Sequence, residues 1–207
     1  MTETPATTLP GWIPDLLRSN RFGRCDVENN MHQKKAWTYQ NGGEITVNII
    51  AYYAIEKCIE KWGDRVPADM RMNDKWRDSS TKKWLSRPED QRSWFKASGR
   101  QRELLAFYIH LWEEFGWESY KQVYREYRII PADEWPGGGG PARGKNAQDI
   151  ERQRAGKFLE LFSIEVGKDL TPYFDVWGHE IDDKSRTRVK RLDLPEWLPD
   201  HAFNNNF

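Results

Sequence analysis

Histidine is scarce in this chain and cysteine scarcer, with four of the one and two of the other in 207 residues. No H-E-x-x-H occurs, the pattern that sets two neutral imidazoles one helical turn apart around a zinc ion. Cys25 and Cys58 are too few for a disulfide framework and read as free thiols. An excess of either charge is also lacking. The 32 basic residues balance 32 acidic ones, which argues against a nucleic-acid partner whose phosphates must be neutralised. No apolar run approaches the roughly 20 residues of a membrane span. The run Trp135-Pro136-Gly137-Gly138-Gly139-Gly140-Pro141 is no phosphate loop, because Gly144-Lys145 is followed by Asn146 and no strand precedes. It reads as a flexible surface linker. The first ten residues lack the basic start and apolar stretch of a secretory signal, so residues 1–21 are expected to form a poorly defined lead-in, and either the chain stays inside the cell or its true start lies upstream. No internal repeat is visible.

Aromatic residues, by contrast, are plentiful. Eleven are Trp, and most should lie in a core, with a minority free to line a sugar- or peptide-binding cleft. The densest apolar run follows Gly42-Gly43, and it carries Glu44 and Asn48 one turn apart on a common helix face. A helix is predicted over residues 44–62, closed by Gly63. Its stripes, Ile45/Ile49/Tyr52/Ile59 and Val47/Ile50/Ala54/Cys58, imply burial on most sides. As a first-turn acid, Glu44 is favoured by the helix dipole even if it does nothing else.

Residues 64–80 are polar and aperiodic and read mostly as loop. Ser86-Arg87-Pro88-Glu89 has the form of a capping box, which predicts a helix ending near Gly99. Helices follow over residues 101–115, stopped by Gly116, and 118–129, stopped by Pro131. His110 sits among core positions of the first and reads as a hydrogen-bonded core or rim residue rather than a ligand. A long helix is predicted over residues 146–166 with Ile150, Phe158, Leu161, Phe162 and Ile164 apolar and Gly167 as its cap. A short helix comes next, from Thr171 through Trp177. Residues 186–191 read as a basic, solvated helix face, His179 has no ligand-type neighbour in sequence, and residues 204–207 read as a frayed tail. The sum is a mainly α-helical bundle of about six or seven helices.

Several separated stretches, in order, resemble one known family. His32-Gln33, Trp37-Thr38 and Gly43-Glu44-Ile45-Thr46-Val47-Asn48-Ile49 are similar to the segment that follows the zinc motif in the enhancin-like metallopeptidases (peptidase family M-sixty). Leu111-Trp112-Glu113-Glu114-Phe115-Gly116-Trp117, Phe158-Leu159-Glu160-Leu161-Phe162-Ser163, the stretch from Asp169 to Gly178 and Leu194-Pro195-Glu196-Trp197 resemble its later helices. The resemblance covers residues 22–203 and implies the C-terminal helical subdomain of a gluzincin-type metallopeptidase. In complete members two His and a Glu hold zinc, the motif's own Glu activates a water, and peptide bonds of mucin-type glycoproteins are hydrolysed. By that resemblance Glu44 is the third zinc ligand. Counting back places Asp26-Val27-Glu28-Asn29-Asn30, or one residue earlier Cys25-Asp26-Val27-Glu28-Asn29, where H-E-x-x-H belongs, and neither holds a histidine.

Of the metal set this chain therefore keeps Glu44, with His32 as the other candidate ligand. No catalytic residue is assigned. Three functions follow as expectations: a peptidase-family chain that is truncated or inactive as written; a non-catalytic relative that holds a glycoprotein, peptide or protein partner; and, last, an unusual site built from Cys25, Asp26, His32 and Glu44, which lacks a base placed against the thiol.

Overall fold

The computed structural model describes residues 38–40, 42–63, 74–97, 99–139 and 142–199. These build six α-helices: α1 (Gly43–Trp62), α2 (Asp74–Leu85), α3 (Gln101–Ile129), α4 (Ala147–Val166), α5 (Thr171–Val176) and α6 (Asp183–Arg191). There is no strand among the described residues, only an isolated parallel bridge between Asp169 and Glu196. The fold is mainly α, as the sequence implies.

The bundle is built around α3. This helix touches α1, α2 and α4, and α4 in turn carries α6. The reason lies in one stretch: Leu104, Leu105, Ala106, Phe107, Tyr108, Ile109 and Leu111 are all buried. A helix apolar all round its circumference can only be a core element. Gly116, at φ 75° and ψ 171°, breaks the helical path inside α3, so the predicted stop is present as a kink between two packed halves. Beyond it Tyr120, Val123 and Tyr127 stay buried.

The core is a lattice of rings centred on Phe107. Tyr173 stacks on it at 4.8 Å, while Phe174 and Trp94 meet it edge-on at 5.0 and 5.5 Å. Each such ring contributes about 1.5–3 kcal/mol by leaving water. Polar edges are satisfied within the lattice. The Trp177 carbonyl accepts from Trp84 Nε1 at 3.1 Å and from Trp94 Nε1 at 2.8 Å. Most of the described tryptophans are thus core or lie against it, as expected.

Several expectations need correction. The end of the supposed 64–80 loop is helical, since α2 begins at Asp74; residues 64–73 lie outside the described residues. Its buried positions are Ser80, Thr81 and Trp84, so a core face with one apolar member left no hydrophobic period to read. The capping box at Ser86 does not form. Ser86 N donates to Lys82 O, ending α2, and the chain continues into two 3-10 turns, Glu89–Gln91 and Trp94–Lys96. The supposed linker is anchored: Trp135 is buried, stacks on Tyr127 at 4.7 Å and donates to Ile130 O. The fully buried Arg154 donates to Pro136 O from both Nε and Nη2. Ile164, expected in the α4 stripe, is exposed. The basic run of α6 is not merely solvated, for Arg186 pairs with Asp175 and Arg188 with Glu160. None of the helices described is long and apolar enough to cross a membrane.

Candidate functional site

The site begins with a turn. Gly42 N donates to Tyr39 O at 2.8 Å, and Thr46 N and Oγ1 then donate to Gly42 O at 2.8 and 3.1 Å, which starts α1. A Cβ on residue 42 would lie 2.6 Å from Tyr39 O, so the turn needs glycine for this close approach. Gln40, before it, takes a left-handed φ of 45° and is buried.

Three later elements hold this turn. Gln40 N donates to Glu151 Oε2 on α4 at 2.7 Å, and Gln40 Nε2 donates to Glu180 O, between α5 and α6, at 2.6 Å. The Tyr39 hydroxyl accepts from Tyr108 of α3 at 3.0 Å. Burial pushes the Tyr39 phenol well above its ordinary pKa, so that bond joins two neutral hydroxyls. The start of α1 is thereby fixed against the bundle before any side chain of α1 is considered.

Within α1 the burial is one-sided. Ile45, Thr46 and Ile49 are buried, whereas Asn48 is exposed and Ile50, Tyr52, Tyr53, Ala54, Cys58 and Ile59 are half-buried. The expectation of burial on most sides is not met among the described side chains, since the buried ones, Ile45, Thr46 and Ile49, lie to one side of the helix. Position 44 falls in the first turn and shares its face with Asn48. The side chain of Glu44 lies outside what is described, as do His32, Cys25 and Asp26. Among the described residues no group of three or more His, Cys, Asp or Glu could hold a metal.

The two described histidines, His110 and His179, lie in the core. His110 Nε2 lies 2.8 Å from Thr81 Oγ1, with Nδ1 3.9 Å from Glu113, the hydrogen-bonded core residue expected of it. His179 is buried among rings, stacked on Trp94 at 3.7 Å. A hollow of about 340 Å³ lies elsewhere, lined by Trp84, Asp90, Gln91, Lys96, Ala97 and Arg100, and contains no candidate ligand. Sequence reasoning missed Gln40, Glu151 and Glu180. Backbone-directed bonds between residues more than a hundred positions apart leave no local pattern, and the nearest signal was the Trp37-Thr38 pair two residues before Gln40.

Comparison with known proteins adds a family and a fold. Residues 30–178 match the family described as Peptidase M60, enhancin and enhancin-like. TRPM8 channel-associated factor 3 of Mus musculus is 26% identical over 167 residues, 80% of this chain and 16% of that protein. The TRPM8 channel-associated factor homolog of Danio rerio is 24% identical over 198 residues, 90% of this chain and 19% of the homolog. The chain thus spans less than a fifth of these relatives. A crystal structure of a functionally unknown conserved protein from Bacillus anthracis str. Ames shares the fold, with a TM-score of 0.57 and 20% identity over 87% of this chain and 34% of its own.

Proposed function

The chain belongs to the Peptidase M60, enhancin and enhancin-like family, and from that premise we propose that it is the C-terminal helical part of an enhancin-like peptidase domain, contributing Glu44 to a zinc site. The observation that carries this reading is register. The Gly-Glu-x-Thr-x-Asn run opens α1, with Glu44 in its first turn, behind a turn tied to α3, α4 and the α5–α6 connection. A ligand on so constrained a helix start would lose little freedom on meeting a metal, which supports the reading.

Zinc, when bound in such a site, polarises a carbonyl and lowers the pKa of a bound water. A catalytic zinc takes three protein ligands and an open position, and this chain offers two candidate donors, Glu44 and His32. By themselves they do not fit a catalytic zinc. The chain as it stands is therefore inactive, and hydrolysis of mucin-type glycoproteins belongs to complete members of the family. A second reading, a non-catalytic relative that binds a glycoprotein or protein, is favoured by the names of the matched relatives, which describe association with the TRPM8 channel. The half-buried pair Trp112 and Trp117, stacked at 4.8 Å with Tyr53 edge-on at 5.3 Å, has the amphipathic flatness such a partner would meet.

One assay separates these. The purified chain is incubated with a mucin-type glycoprotein, with zinc and with chelator, and products are read by mass spectrometry. No new peptide termini are expected under either condition. Zinc-dependent cleavage would overturn the inactive reading, and capture of the uncut glycoprotein by the immobilised chain in chelator would favour the binding one.

A further inference from the structure

His179 is 3% exposed, and neither Nδ1 nor Nε2 meets a hydrogen-bond partner among the described residues. Its ring stacks on Trp94 with centroids 3.7 Å apart and planes at 26°. Phe107 at 4.5 Å, Phe174 at 4.8 Å and Tyr39 at 5.7 Å close the other sides. Each element packed against the imidazole, whether the 38–40 turn, the Trp94–Lys96 turn, α3 or α5, presents it with a ring.

The charged groups near it in the chain are engaged elsewhere. Glu180 accepts from Ser93 Oγ at 2.7 Å and from Arg152 Nη2 at 3.1 Å. Arg92 Nη1 donates to Val176 O at 2.6 Å, and Asp182 caps α6 by accepting from Ser185 N. The titratable groups facing the ring from other elements are Tyr39 and, one ring further, Tyr108, both held neutral by burial. An imidazolium in this box would have lost its hydration with no acceptor in reach. The face of Trp94 offers a cation–π attraction, which is weaker than that loss.

We propose that His179 is an acid-sensitive latch: neutral, it fills the aromatic box and holds the 38–40 turn; protonated, it leaves the box and frees that turn. The coupling runs through two contacts. Tyr39 packs on the imidazole, and the next residue's carbonyl, Glu180 O, accepts from Gln40 Nε2. Burial also holds the His179 pKa well below its ordinary value of 6.5. An opened chain therefore takes up the proton as pH falls below about 6.5, and the closed form does not. The latch's contribution is complete above that pH and declines below it. In that window the constant for opening rises about tenfold per pH unit.

The test is urea unfolding of the chain and of His179→Phe between pH 8 and pH 5. The unfolding constant should rise about tenfold more from pH 6 to 5 in the natural chain than in the variant. Equal pH dependence in both would overturn the proposal. Should His179→Phe fail to fold, imidazole NMR of the unaltered chain decides. The ring showing Overhauser contacts to Trp94 should stay neutral well below pH 6.5, and its titration near 6.5 would refute the latch.

Discussion

Glu103 is the buried carboxylate on which the α2–α3 contact depends. Its side chain is 8% exposed, 2.6 Å from Lys83 Nζ and 2.5 Å from Arg87 Nη2. Burial alone would raise its pKa, yet the two cations outweigh that and hold the carboxyl below its ordinary value. A depressed carboxylate contributes stability that is complete above the unfolded pKa of about 4.3 and is lost as pH falls through the folded value. Glu103→Gln should cost about 3 kcal/mol near neutrality, because Arg87 is left half-paired in a buried place, and the difference from the natural chain should shrink in acid. Urea unfolding at pH 7 and pH 3.5 checks both. At this scale the sequence was legible where a residue's role is local. His110 reads correctly as a core histidine because its helix is apolar around it. Glu103 gives no sign, since its partners lie on another element and an acid in a first turn looks the same whether buried or exposed.

Among elements, α4 and α6 make the closest approach that glycine alone permits. A Cβ on Gly156 would fall within the Ser185 side chain and 2.6 Å from Asp182 Oδ2, the two residues that form the N-terminal cap of α6. Gly156→Ala is expected to cost about 1–3 kcal/mol and to loosen α6 first. A thermal melt with amide exchange on residues 183–191 tests this, and an unchanged Tm with protected α6 amides would contradict it. Helices whose buried face is apolar, α3 and most of α4, were found by period; Gly167 was found as the stop of α4, whereas Gly116 proved a kink inside α3 rather than an end. Where the core face is polar the period vanished, as at Ser80-Thr81 in α2. At Ser86 a cap-like tetrapeptide was used to finish one helix rather than begin another. Capping chemistry is local, but which end of a helix it serves is decided by packing.

For the molecule as a whole, the arrangement is a helical bundle around α3 whose role is to fix the start of α1. The family match over residues 30–178 spans that start, where the sequence carries a Gly-Glu-x-Thr-x-Asn run. Glu44 was singled out because its flanking motif is contiguous. The network that pins its helix was not, because it joins Gln40 to Glu151 and Glu180 across the chain. The sequence itself holds no H-E-x-x-H pair, so under the proposed reading Glu44 would meet zinc only together with donors other than its own. The most direct test is calorimetric titration of zinc into the purified chain and into Glu44→Gln. The account predicts binding weaker than about 1 μM in the natural chain, far short of a structural zinc site, and about tenfold weaker again in the variant. Tight stoichiometric zinc that Glu44→Gln leaves unchanged would contradict it.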